Sequence, residues 1–216
     1  HSLGVVKTPT DCRWNFPPSH KWPSRDFIIP GADLEPDTLL YAYAHGLFPM
    51  YAEGELWWWS PVHRGIIPIF GFHASRTLKK NVRRFTCSVN TDFEGVMKAC
   101  AANHSEGEWI THEFIDAYSR LHTLGHAHSV EVRDASGDLV GGVYGIRINN
   151  FFAGESMFHT ETDASKVALL YLVELMQLDG MLLFDTQWLT DHLASLGGIE
   201  IPRREYLELL ASAVAE

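Results

Sequence analysis

No apolar run in this chain approaches the roughly 20 residues that a membrane-crossing helix needs, so no membrane span is expected. The opening His1-Ser-Leu-Gly4 lacks a charged region followed by an apolar one, and no secretory signal is read there. Cysteine is scarce. Cys12, Cys87 and Cys100 form an odd set with no C-x-x-C spacing, which removes that motif from consideration and suits reduced thiols in the cytoplasm. Positive charge is in the minority: 17 Lys and Arg against 27 Asp and Glu leave a net charge of −10. A negative surface repels phosphate at long range, which argues against a nonspecific nucleic-acid binder. It still allows a local basic patch that holds one defined RNA end, and it suits a cationic partner. Also missing are a G-x-S-x-G nucleophile motif, a P-loop, internal repeats and low-complexity tracts.

What is present is enough for a packed core. The chain has 216 residues, 46% of them hydrophobic, which fits one large domain or two modest ones. Its most informative stretch runs from Phe151 to Gln187. By period, Phe151-Phe-Ala-Gly-Glu155 reads as a strand ending in a carboxylate. Ala164 to Met176 reads as a helix apolar almost all round, and Met181 to Gln187 as a second apolar strand ending in Asp185 and Gln187. A helix without a polar face must be buried, so the three pieces suggest a βαβ unit. Ligands of open sheets sit beyond the carboxyl ends of strands, where Glu155, Asp185 and Gln187 fall.

The remaining pattern completes an α+β chain. Residues 11 to 31 hold four prolines and Gly31 and are expected to be irregular. Pro36 opens a helix that Gly46 can cap. Leu56-Trp-Trp-Trp-Ser-Pro61 is extended, and because side chains alternate, its three tryptophans cannot all face inward. Ser75 opens a helix to about Arg84 whose Arg76, Lys79, Lys80, Arg83 and Arg84 share one face, either a solvated surface or an RNA contact. Asp92, Thr111 and Thr190 are N-caps of further helices, and Pro202 starts the last one. Segments 129–133, 139–148 and 151–155 should form an antiparallel meander. The expected architecture is a small N-terminal α/β module, residues 1–88, followed by a GNAT-like acyltransferase domain, residues 89–216, with a mixed, mainly antiparallel sheet.

That order of elements is an analogy of fold, and function must come from the site. Coenzyme A binding on such a fold uses a glycine-rich turn at the helix N-terminus. Here the link Ser156-Met-Phe-His-Thr-Glu-Thr-Asp163 has no glycine and two acids, which should repel a pyrophosphate. Asp185 and Gln187 share a strand face, and a carboxylate beside an amide suits an amine substrate. A plain polar strand end is the other reading of that spacing. His122, His126 and His128 are close in sequence, but Gly125 interrupts any helix that would align the first two and no ligand set is complete.

Several ordered segments are shared with one family. Gly46-Leu-Phe-Pro49, Trp58-Trp-Ser-Pro61, Trp109-Ile-Thr111, Gly125-His-Ala-His-Ser129, Gly154-Glu-Ser-Met-Phe158, Ala164-Ser-Lys166 and Ile201-Pro-Arg203 are among them, with Asp185, Gln187 and His192. On these segments the chain resembles the leucyl/phenylalanyl-tRNA-protein transferases, bacterial enzymes that add Leu or Phe to proteins beginning with Arg or Lys. The resemblance implies an aminoacyl-tRNA donor held by its 3′ end, with no coenzyme A, metal or ATP. An aminoacyl ester is already activated, and an acceptor α-amine with a pKa of about 8 is partly neutral near pH 7. The enzyme then mainly aligns amine with ester and stabilises the oxyanion.

Carried over residue by residue, the resemblance makes Asp185 and Gln187 the catalytic pair, with Glu155 holding amino or cationic groups of the substrate. The donor side chain, Leu, Phe or also Met, would fit an apolar pocket of Val143, Leu172, Met176 and Phe184. Trp109, Tyr43 and Tyr118 would frame the terminal adenosine, beside Met50 where the family usually has Trp. The basic helix would steer the acceptor stem. The family's Trp-Ser-Pro-Asp-Pro-Arg is Trp59-Ser-Pro-Val-His-Arg64 here, and its Asp-Cys-Gln is Asp185-Thr-Gln187. An N-acyltransferase with a small thioester donor and a noncatalytic binder of peptide N-termini are the rival readings.

Overall fold

The structure, a computed structural model, describes residues 3–8, 11–103 and 110–215. Among these, ten strands form two sheets. The smaller sheet has the order β1-β3-β2, with β1 at Phe27–Pro30, β2 at Phe48–Ala52 and β3 at Glu55–Trp59. Glu53 and Gly54 join β2 to β3 with φ of 51° and 80°, and two successive positive φ values make a tight hairpin whose twist suits the strands. Alternation separates the three tryptophans. Trp58 is fully buried and donates its indole N–H to the Gly31 carbonyl at 2.8 Å, while Trp57 and Trp59 are half-buried. Truncating a ring buried like that of Trp58 costs about 3–5 kcal/mol.

The larger sheet has the order β10-β4-β9-β8-β7-β6-β5. Its centre is the expected meander, β6 (Ala127–Arg133), β7 (Leu139–Ile148) and β8 (Phe151–His159), paired antiparallel throughout. Helix α5 (Ala164–Leu178) then leads to β9 (Leu183–Gln187), which lies parallel to β8. That is the βαβ unit foreseen from the apolar helix, and only Glu174 and Leu178 of α5 are exposed. Helix α5 packs on one face of the sheet through Val167, Leu172 and Met176. The opposite face carries α1 (Pro36–Ala44), α3 (Phe93–Asn103), α4 (His112–Thr123) and α7 (Arg203–Val214). The caps are the expected ones: Thr111 Oγ1 accepts from the Phe114 N–H at 3.4 Å and Asp92 Oδ1 from that of Gly95 at 3.0 Å. No helix among the described residues is long and apolar enough to cross a membrane.

Four short strands depart from the sequence reading. Strand β1 lies inside the stretch expected to be irregular, and β4 (His63–Ile66), β5 (Thr86–Val89) and β10 (Ile199–Pro202) were not anticipated. Each has four residues, too few to display an alternation, and β4 and β10 carry charged or proline positions. The basic helix is also shorter: α2 (Arg76–Asn81) gives way to a 3-10 turn at Val82–Arg84. The expected division after residue 88 falls inside β5. Both β4 and β5 belong to the larger sheet, while the smaller sheet is confined to residues 27–59.

Candidate active site

The parallel pair β8 and β9 runs in register from Phe151↔Leu183 to Ala153↔Asp185 and then parts. Beyond that point β8 carries a bulge opposite Tyr144 and Gly145, which turns Glu155 out of the regular pleat. Across the gap, Gln187 Nε2 donates to Glu155 Oε1 at 3.3 Å. The two strand-end groups and Asp185 therefore converge on one buried polar cluster, as their positions in sequence suggested. With Nε2 committed to Glu155, the Gln187 Oε1 is the amide atom left to accept from an incoming amine.

Burial of carboxylates among apolar groups demands donors, and the sequence supplies them from far away. Asp185, 1% exposed, accepts two hydrogen bonds from the guanidinium of Arg64, at 3.0 and 2.8 Å. It also accepts the Tyr206 hydroxyl at 2.8 Å and the backbone N–H of Gln187 at 2.8 Å. Arg64 sits on β4 and Tyr206 on α7. For Arg64, burial is the largest influence and works against the charge, but the Asp185 carboxylate with Tyr206 and Tyr43 together raise the guanidinium above its ordinary value. Glu155 has a different environment. Its Oε1 accepts the Tyr43 hydroxyl at 2.5 Å, and the Tyr43 hydroxyl oxygen is in turn 2.6 Å from that of Tyr118. Burial pushes the Glu155 carboxyl up to about 8, aided by the charge of Asp185 and opposed by hydrogen bonds from Tyr43 and Gln187 and by Arg64. One acid is saturated by a cation. The other is held near neutrality by desolvation and neutral donors.

The other expected site residues fall in three groups. Val143, Leu172, Met176 and Phe184 do come together, in the closed core between the sheet and α5. Phe184 and Asp185 are adjacent on β9 and point to opposite faces, so this apolar cluster lies across the sheet from the polar one. Gly154 is the link: a Cβ there would lie 3.0 Å from the Phe184 ring, at the place where β8 and β9 part. Tyr43 and Tyr118 are almost fully buried, with Phe114 stacked on Tyr118 at 5.7 Å; Tyr43 bonds to Glu155 and Tyr118 to the Tyr43 hydroxyl, and neither presents an open ring face in this structure. Met50 is half-buried on β2, its backbone carbonyl accepting the Trp59 indole N–H. Trp109 lies outside the described residues. Arg76, Lys79, Lys80, Arg83 and Arg84 are all exposed, and Arg84 approaches Glu161 at 3.6 Å.

Sequence reasoning passed over Arg64 as a functional residue and did not single out Tyr206. Arg64 carried a faint signal as the basic residue closing Trp59-Ser-Pro-Val-His-Arg64. Tyr206 carried none, being one aromatic among the apolar positions of a terminal helix. Among the described residues, one surface cavity of about 470 Å³ is lined by Asp33, Glu35, Tyr51, Glu113, Asp116 and Arg120. Another, about 550 Å³, lies over Glu94, Ser119 and Leu124. Neither is lined by Glu155, Asp185 or Gln187.

Comparison with known proteins adds a family to this geometry. A family model described as leucyl/phenylalanyl-tRNA protein transferase matches residues 66–211, and one described as the N-terminal domain of that transferase matches residues 32–62. The chain is 47% identical over 204 residues to a leucyl/phenylalanyl-tRNA–protein transferase of Pseudoalteromonas atlantica, covering 92% of this chain and 87% of the relative. It is 50% identical over 187 residues to a protein of the same name from Cereibacter sphaeroides, covering 84% and 86%. Among solved structures, the L-PGS structure from Bacillus licheniformis is similar with a TM-score of 0.42 at 10% identity, over 71% of this chain and 65% of that one.

Proposed function

Because the chain belongs to the leucyl/phenylalanyl-tRNA protein transferase family, we propose that it moves Leu or Phe from aminoacyl-tRNA onto the α-amine of proteins beginning with Arg or Lys. The amine nitrogen attacks the ester carbonyl, a peptide bond forms, and the bond to the ribose oxygen breaks. The proton lost by the amine ends on the released ribose hydroxyl. The single observation that carries this reading is the meeting of Glu155 and Gln187 where β8 and β9 part. There an amide carbonyl can accept from the amine beside a buried carboxyl whose ionisation an arriving cationic group would favour. We assign the donor side chain to the apolar cluster of Val143, Leu172, Met176 and Phe184, which packs behind Gly154 on the other face of the sheet. An unbranched or γ-branched side chain such as Phe, Leu or Met fills such an apolar cluster more easily than a β-branched one.

In this reading the terminal adenosine lies near Met50, with Tyr43 and Tyr118 behind it, and the acceptor stem runs along the exposed basic residues of α2. Action on newly exposed N-termini would mark those proteins for degradation, in the cytoplasm, where charged tRNA is made. The test is to incubate the protein with labelled Leu-tRNA or Phe-tRNA and a peptide beginning in Arg. Label should appear on the first residue, vanish with ribonuclease, and fail to appear when the α-amine is acetylated. Transfer that survives ribonuclease treatment of the donor would refute the reading.

A further inference from the structure

The four acceptor positions of a carboxylate are all filled at Asp185. Oδ1 accepts from Arg64 Nε at 3.0 Å and the Gln187 backbone N–H at 2.8 Å; Oδ2 accepts from Arg64 Nη2 and the Tyr206 hydroxyl, both at 2.8 Å. Arg64 is equally engaged. Its Nη1 donates to the Gly46 carbonyl at 3.1 Å and to Ser60 Oγ at 3.3 Å, and its guanidinium lies 4.0 Å from the centre of the Tyr206 ring. No lone pair of Asp185 is left to take a proton from an acceptor amine.

What the saturated carboxylate does hold is backbone. Gln187 has φ of 69°, in the left-handed region that a residue with a Cβ adopts only when its surroundings impose it. Asp185 Oδ1 grips the N–H of that residue. From the other side Gly65 of β4 pairs with Gln187, and a Cβ on Gly65 would lie 2.6 to 2.8 Å from backbone atoms of Trp188 and Leu189. Strand β4 thus presses on the turn that follows Gln187 while its Arg64 fixes the carboxylate that holds the turn's first N–H.

We propose that Arg64 and Tyr206 are positioning residues for the transfer: acting through Asp185, they clamp the Gln187 backbone in its left-handed conformation so that its amide faces Glu155 and the substrate, and Asp185 serves as clamp and not as base. The proposal rests on the transferase reading of the site. It departs from any scheme in which Asp185 collects the proton of the amine.

The experiment compares wild type, Arg64→Lys, Tyr206→Phe and Asp185→Asn, each shown by its melting curve to be folded. One arm measures transfer from Phe-tRNA to a peptide beginning in Arg as a function of pH. Arg64→Lys keeps the charge but loses the two-pronged grip, and kcat should fall about 100-fold, the effect of misplacing a group by about 1 Å, with both KM values within about twofold. Tyr206→Phe should fall less, about tenfold. In Arg64→Lys and Tyr206→Phe the acid limb of the pH profile should keep its position, and in Asp185→Asn it should persist, displaced downward at most by the loss of the charge beside Glu155. An acid limb that vanishes in Asp185→Asn, or moves in Arg64→Lys, would make Asp185 a base and overturn the proposal. The second arm needs no activity: hydrogen exchange at the Gln187 amide should quicken about tenfold or more in Arg64→Lys and Tyr206→Phe, and unchanged exchange would overturn the clamp. A wild-type protein that transfers nothing would defeat the transferase reading alone, since the exchange arm still decides the clamp.

Discussion

Glu155 and Gln187 stand 32 residues apart in the chain and 3.3 Å apart in space, side chain to side chain across the opening between two parallel strands. The contact fixes which way the amide faces. Its nitrogen points to the acid, so its oxygen points away from it. The same contact joins a group whose charge depends on its surroundings to one with no charge at all.

Replacing Gln187 with Ala removes the acceptor oxygen without leaving a buried ion. Transfer should fall about 100-fold or more in kcat, in the range set by other single groups that act at the transition state. Stability should drop by about 1 kcal/mol, the worth of one hydrogen bond. Single-turnover kinetics and urea unfolding measure the two. A loss confined to the KM of the peptide would assign Gln187 to binding.

The Glu155 carboxyl, pushed up to about 8 by burial, keeps its proton in the native state at pH values where the unfolded chain, with an ordinary value of 4.5, has released it. Between those values the unfolded state binds fewer protons than the native one, so unfolding becomes easier as pH rises. Stability present in full below about 4.5 is lost as pH climbs through about 8, at up to ~1.4 kcal/mol per pH unit. Glu155→Gln should abolish this slope. Urea midpoints of wild type and variant, compared across that range, should diverge in favour of the variant as pH increases.

The basic face should act on tRNA alone. Lys79→Ala, Lys80→Ala and Arg83→Ala together remove exposed charges, so the melting temperature should hold. KM for aminoacyl-tRNA should rise, its dependence on salt should weaken by about one unit of slope for each phosphate no longer neutralised, and kcat should stay. The salt series of KM is the measurement.

Gly65→Ala should damage both fold and catalysis. The new methyl would meet backbone atoms of Trp188 and Leu189, which cannot rotate away as a side chain could. A cost of about 1–3 kcal/mol is expected for such overpacking, read as a lower urea midpoint. The displaced turn should also lower kcat, since it begins at Gln187.

By itself, the sequence determined the elements and the ends on which the acids sit. The alternation in residues 129–155 marked β6, β7 and the first part of β8; the all-round apolar stretch marked α5 as buried; and Ser75, Asp92, Thr111 and Thr190 marked helix starts. These are local properties, because a residue's face within an element follows from its spacing. What the chain does with non-neighbouring elements is not local. Only the tertiary structure put the four residues of β4 between β10 and β9, and with them placed Arg64 against Asp185, 121 positions away, and Tyr206 beside both. Only it turned Tyr43 and Tyr118 inward onto Glu155. A four-residue strand is too short to announce its partner, and the buried charges it brings together are stabilised by contacts that exist only once the sheet has closed.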